Sequence, residues 1–415
     1  MVKCCLPQRH FQSNPKVPMS LIDTVLKKMS TVLKPQRTFL VVILTTLMYL
    51  PGKANFRNLS RYSELHEKTY SRGFRRPFDF VEFNRLSLAE VVTFGSHLAV
   101  AIDSSFIQKS GKKTYGLGYF YNSARGQAQM GLEISTLALV DINYNTAYHL
   151  SSRQTPPLDP LKETRMDEYL KHLQQDASAF PTGVRYVLAD GYYSKTNFIN
   201  GVRKLDLHLI SKLRHDANLR WLYNGPQKHR GRPKQYDGKV HFQLYKENRL
   251  ENMGEIEGTP LYTAVVNSVH FKQNIRIVYL VKVMGEKIQT ALLYSTDIAL
   301  SALEIYRLYK ARFQIEFLFR DAKQFTGLLD CQARCPSALH FHFNASMTAL
   351  NLLKLEDRQR TEGVDRSAIS IASGKIRKFN EHLLRRFSSF LGLDFSLIKS
   401  SPVFENLCNY GAITA

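Results

Sequence analysis

Residues 300–326 leave little choice of conformation. Leu308, Ala311, Ile315, Leu318, Phe319, Ala322 and Phe325 recur at helical spacing. At about 100° per residue they gather on one side of the axis, between about 160° and 280° from Tyr309. Tyr309, Arg312, Glu316 and Lys323 are spaced three, four and seven apart. They fall within an arc of roughly 60° on the other side, and Arg320 joins them at about 20°. The spacing predicts one amphipathic helix over 300–326, with its apolar face on a core. The opposite face lines up a carboxylate, two guanidiniums, an ammonium and a phenol. Such a stripe suits a carboxylate that holds a metal beside a phosphate. It also suits a solvated surface, so the rest of the chain must decide.

Ahead of this helix the pattern alternates. Residues 98–102 form a short apolar run ending on Asp103, and 186–189 form another ending on Asp190. Strands are also predicted at 115–121, 132–142 and 207–213, with helices at 161–177 and, capped by Ser194, from there to about residue 205. Strands interleaved with helices indicate an α/β fold with a mixed sheet. Four further strands, 239–245, 261–270, 275–284 and 289–295, form a β-rich block before the key helix. The chain divides as a helical N-terminal region (1–96), a core in two pieces (97–214 and 297–345), an inserted β-rich domain (215–296) and a basic helical C-terminal region (346–415). Residues 1–18 read as irregular, so Met19 is a candidate start. Residues 55–85 place Arg57, Arg61, Arg72, Arg75 and Arg76 among aromatics. That suits a module gripping DNA, or a plain helical appendage.

The partner is suggested by charge. The chain has 57 Lys and Arg against 35 Asp and Glu, a net +22, which favours a polyanion. Nucleic acid is the first expectation. A membrane surface is disfavoured, because the basic residues are spread along the chain rather than set beside an apolar anchor. The longest apolar run, residues 39–50, is twelve residues, short of the roughly 20 that span a bilayer. The five cysteines, Cys4, Cys5, Cys331, Cys335 and Cys408, are odd in number and sparse, pointing to a reducing, cytoplasmic setting without disulfides.

Asp103, Asp190 and Glu316 are the acids whose placement stands out. An acid at a strand end is commonly a turn residue. Brought together, these three would form a cup that repels itself unless hard cations fill it. Mg²⁺, or Mn²⁺, prefers such oxygen ligands. Two ions about 3.5–4 Å apart can activate a water or a 3′ hydroxyl and stabilise the leaving oxygen.

Together these residues carry a resemblance. Tyr309, Arg312, Glu316 and Lys323 resemble the Tyr-Arg-Glu-Lys motif of the DDE transposases of bacterial insertion sequences, specifically the insertion-sequence-four family. Ser295-Thr296-Asp297 precedes the motif, and Phe319-Arg320-Asp321-Ala322-Lys323 lies within it. Ala101-Ile102-Asp103-Ser104-Ser105, with Lys109-Ser110-Gly111-Lys112, is similar to the family's first-aspartate region. Leu188-Ala189-Asp190-Gly191-Tyr192-Tyr193-Ser194 is similar to its second. The resemblance spans roughly residues 95–345. It implies a ribonuclease-H-like mixed sheet core with a β-rich insertion, and metal-dependent cleavage at element ends followed by strand transfer into target DNA. It implies that Asp103, Asp190 and Glu316 bind two Mg²⁺ or Mn²⁺ ions, and that Tyr309, Arg312 and Lys323 hold a phosphate. The partners expected are double-stranded DNA and, since two element ends must meet, a second copy of the chain, working on the nucleoid. The rivals are a nuclease of the same fold that does not join strands, and a DNA-binding protein without catalysis.

Two further features bear on DNA. Residues 203–234 hold nine Lys or Arg and two acids. Within them, Arg230-Gly231-Arg232-Pro233-Lys234 is narrow and extended, a shape that fits a minor groove or a solvated loop. Trp221, the one tryptophan, is a candidate to stack a flipped base, a role the resemblance associates with hairpin intermediates, or else a packing residue.

Overall fold

The computed structural model describes residues 20–92, 97–157, 163–242, 249–285, 287–360 and 370–413. Cys4, Cys5, Met19 and the expected start of the chain lie outside these residues. Among the described residues twelve strands form one sheet, mostly antiparallel, and helices cover both faces. The chain is therefore mixed α/β.

The centre of the sheet is parallel. Strand β1 (Leu98–Gln108) pairs with β5 (Tyr186–Leu188), and β5 with β6 (His208–Leu213). These strands read as apolar runs because both their faces are buried. Helices α6 (Arg165–Asp176) and α7 (Thr196–Arg203) pack Met166, Tyr169, Leu173, Phe198 and Val202 on one face. Ser194 does not cap α7. Lys195 is the N-cap residue, and the Ser194 hydroxyl donates to the Lys212 carbonyl instead. Strand β1 does not stop at Asp103 as expected. It continues for five residues, because Ser104 and Ser105 pair in register with β3 (Gln127–Asp141) in mid-sheet, where polar side chains do not make a turn.

Residues 215–296 do not curl into a sheet of their own. Strand β12 (Lys287–Ser295) pairs with β6, so this block continues the central sheet through β11 (Gln273–Met284) and β10 (Thr259–Ser268) to the edge hairpin of β7 (Leu219–Leu222) and β8 (Tyr236–Lys239). The predicted strand at 239–245 thus begins and ends earlier, as β8. Residues 243–245 lie outside the described residues.

On the other face of the sheet lies α10 (Pro336–Arg360), buried along most of its length. Helix α2 (Lys34–Tyr49) packs Phe39 against Phe341 of α10, with ring centroids 5.9 Å apart. The N-terminal helices thus share the core of the sheet. No helix among the described residues is long and apolar enough to cross a membrane.

Two asparagines of α10 also dress an otherwise open strand edge. Among the described residues strand β4 (Thr146–Thr155) pairs only with β3, and it carries a bulge opposite Leu137 and Ala138. Asn351 accepts from the His149 N–H at 2.7 Å and donates to the His149 carbonyl at 2.6 Å. Asn344 does the same for Ser152, at 2.9 Å in both directions. Each side-chain amide replaces a missing strand partner. Asn351→Ala strands two buried backbone groups, so chemical denaturation is expected to show a loss of about 2–3 kcal/mol. An unchanged midpoint would exclude the edge-capping role.

Candidate active site

Parallel register brings the two aspartates to the same level. Ala101 of β1 pairs with Leu188 of β5, and each is followed two residues later by an aspartate, Asp103 and Asp190. Asp103 Oδ1 accepts from the Ser104 N–H at 2.8 Å. Asp190 starts a short 3₁₀ turn, Gly191–Tyr193, and its Oδ1 accepts from the Tyr192 N–H at 2.9 Å. The turn is close to the neighbouring strand. A Cβ on Gly191 would meet the Lys212 carbonyl oxygen at 3.2 Å, so glycine lets the loop approach.

The predicted single helix over 300–326 is in fact two. Helix α8 (Ala302–Ala311) gives way to α9 (Gln314–Phe325) through a tightened turn. There the Ile315 N–H donates to Arg312 O and the Glu316 N–H to Phe313 O, three residues back. Such 3₁₀ pinches in mid-helix often mark functional positions. This one has no Pro or Gly to announce it. Its effect is to turn Arg312 inward.

Arg312 is 4% exposed and lies between acids. Its Nη2 donates to Glu316 Oε1 at 2.7 Å, and its Nη1 lies 3.9 Å from Asp103 Oδ2. Its Nε finds no acceptor among the described residues. Arg312 thus faces carboxylates, where the sequence pattern suggested a phosphate. Its Cζ stands 4.5 Å from the Phe313 ring centroid and 5.6 Å from that of Tyr309.

Burial sets the electrostatics of the site first. Burial, then the charge of Asp190, pushes the Asp103 carboxyl up to about 7. Burial also raises Asp190, against hydrogen bonding from Tyr192 and the pull of Arg312. Tyr193 lies beneath the pair. Its buried hydroxyl has no partner among the described residues, and burial followed by the charge of Asp103 raises it well above the usual phenol range. The sequence pattern touched Tyr193 only as the tail of the Asp190 motif.

The donor chemistry fits a hard divalent cation: carboxylate oxygens at Asp103 and Asp190, close enough that the charge of Asp190 raises Asp103. The fit is incomplete in placement. Among the described residues, no group of three or more His, Cys, Asp or Glu converges closely enough to hold a metal, Glu316 being engaged by Arg312.

The other stripe residues divide. Tyr309 is half-buried, and burial raises its phenol. Lys323 is partly buried without an acid or hydrogen-bond partner among the described residues, and burial lowers its ammonium. Arg320 is exposed, bonded to Asp321 at 2.9 Å, with its Cζ 4.8 Å from the Phe317 ring centroid.

Arg230, Arg232 and Lys234 lie away from the acids on the exposed loop joining β7 to β8. Gly231 there has φ +99°, a conformation that suits glycine. The Gln227 side chain closes the loop, donating to Lys234 O and accepting from the Lys234 N–H, both at 2.8 Å. Trp221 is 8% exposed, in register with Val266 and part of the core on the α6–α7 face. That burial favours the packing role.

This fold and these acids fit a polynucleotidyl-transferase or nuclease-type enzyme. Residues 95–352 match the family model of the transposase DDE domain, well over half of the chain. The chain belongs to this family and has a transposase-type function. Comparison with curated proteins finds no match.

Proposed function

We propose that this transposase works by cut-and-paste. It cleaves DNA at the ends of an insertion sequence and joins the freed 3′ hydroxyls to target DNA, as a member of the insertion-sequence-four family with a ribonuclease-H-like core. The observation carrying this reading is the pair Asp103, on β1, and Asp190, just past the end of the adjacent parallel strand β5, level with each other and facing the Arg312–Glu316 pair. Asp103 and Asp190, with Glu316, would hold two Mg²⁺ or Mn²⁺ ions. Bound there, such ions would supply an activated water or 3′ hydroxyl and stabilisation of the leaving oxygen. Arg312 offsets the charge of the acids before DNA arrives. Lys323 brings a cation without an acid partner among the described residues, and Tyr309 a neutral donor, which suit a phosphate held next to the cleaved end. Two copies would act together in the cytoplasm, on the nucleoid, because two element ends must be brought side by side. A strand-transfer assay with pre-cut ends tests the reading. Joined product in Mg²⁺ supports it. Nicking of intact ends without any joining would make the protein a nuclease.

The basic loop gives a separate expectation. Arg230 and Arg232 are exposed, with no acid bonded to either among the described residues. If both meet phosphates of duplex DNA, their joint replacement by Ala lowers the slope of log affinity against log salt by about 1.8. An unchanged slope would remove this loop from the DNA interface.

A further inference from the structure

The sheet carries a second feature on the face that holds Asp103. Register fixes the face. Asp103, Ser105 and Ile107 of β1 lie opposite Thr136, Ile134 and Leu132 of β3. Farther along β3, Met130 lies opposite Tyr119, and Ala128 opposite Tyr121, on strand β2 (Gly118–Asn122). Residues directly opposite share a face, and alternate residues of a strand share it too. Tyr119, Tyr121 and Met130 therefore stand on the Asp103 face of the sheet. Six residue steps along β3 lead from Met130 to Thr136, or about 20 Å.

These side chains are open to solvent: Tyr119 is 66% exposed, Tyr121 60% and Met130 43%. Phe120, between the tyrosines, points the other way, buried with the Arg165 guanidinium 4.8 Å from its ring centroid. The intervening residue is thus anchored while its neighbours are left free. Neither Tyr119 nor Tyr121 has a ring contact or a side-chain hydrogen bond among the described residues. Strand β2 ends the order of the sheet, so no described strand lies beyond it.

Charge selects the occupant. Residues 104–132 contain four Lys or Arg and no Asp or Glu. Lys112, Lys113 and Arg125, in the connections on either side of β2, are exposed. Two aromatic rings on alternate strand positions stand about 7 Å apart. That is about twice the 3.4 Å step of stacked bases, leaving room for a base to enter between or against the rings. Aromatic rings in a cationic setting are how proteins hold single strands without reading sequence.

We propose that Tyr119 and Tyr121 form a stacking platform for unpaired bases of a DNA strand leading to Asp103, an inference that rests on the transposase reading above. The platform would bind a strand opened near the reaction centre and leave intact duplex to the basic loop and other cationic surfaces.

The test measures binding of two probes by fluorescence anisotropy: a blunt duplex, and the same duplex with a single-stranded oligothymidine tail. The full-length protein is compared with Tyr119→Ala/Tyr121→Ala and Tyr119→Phe/Tyr121→Phe. The Ala pair is expected to bind the tailed probe about ten-fold more weakly and the blunt probe unchanged, while the Phe pair retains wild-type affinity for both. Equal affinity of the Ala pair and wild type for the tailed probe would overturn the proposal. So would an equal loss on both probes, or a loss of self-association with DNA affinity intact, which would make the face a protein interface. Asp103→Asn provides the separate arm. It is expected to bind the tailed probe like wild type without cutting DNA. Should it cut, the catalytic reading fails while the outcome at the tyrosines is judged independently.

Discussion

The Asp103→Asn protein is expected to lose DNA strand cleavage by on the order of a thousand-fold or more, with DNA binding retained. Asparagine keeps the size of the side chain and an oxygen to accept from the Ser104 N–H, a bond now 2.8 Å long. It removes the negative charge a divalent cation needs. Asp190→Asn and Glu316→Gln are expected to behave alike. Gel-shift and cleavage assays on one preparation separate the two properties. Full cleavage by any of the three in Mg²⁺ would refute its assignment.

The same substitution should leave a mark on stability. Asp103 is held up to about 7 by burial and by Asp190. The unfolded chain gives up that proton near about 4. Between these values the folded protein binds more protons, so metal-free stability falls as pH rises and the deficit is complete above the folded value. Asp103→Asn removes the deficit. The metal-free variant is expected to melt above wild type at about pH 8 and level with it near about pH 4. A wild type that melts with or above the variant at the higher pH contradicts this account. Sites that concentrate charge for function commonly cost stability in this way.

Arg312→Ala should produce the largest loss of stability of any change in the site. The guanidinium is almost fully buried and neutralises Glu316 directly and Asp103 at longer range. Removing one partner of a buried ionic group leaves the remainder uncompensated, at a cost of about 3–5 kcal/mol. Denaturant titration of the metal-free protein is expected to show a loss near the lower figure, because the Glu316 side chain is about half exposed and partly hydrated. Mg²⁺ should recover more stability in the variant than in wild type, since cations at the acids would replace the lost positive charge. Equal stability with and without Arg312 would mean that the acids do not depend on it.

How much of this was legible in the sequence depends on the range of the interactions concerned. The apolar runs ending near Asp103 and Asp190 were readable because buried parallel strands are apolar on both faces. That the two aspartates are level could not be read, because register is set by long-range pairing. Strand β4 was missed since its Ser, His and Thr side chains look like loop. Its two serines are buried and bonded across the fold: Ser151 bonds Asp176 of α6 at 2.6 Å, and Ser152 bonds Thr136 of β3 at 2.8 Å. The pinch at Arg312 has no glycine or proline behind it, so the helical pattern ran straight through. Trp221 offered two roles, and its burial beside Val266 favours packing. The strands of residues 215–296 looked like a separate block because pairing of β12 with β6 links segments far apart in the chain.

A count of bound Mn²⁺ by electron paramagnetic resonance, on protein assembled with DNA, tests the central claim most directly. Two ions per protomer are expected for wild type, with loss of both when Asp103 and Asp190 are changed together to Asn. The same count in wild type and the double variant would contradict the account.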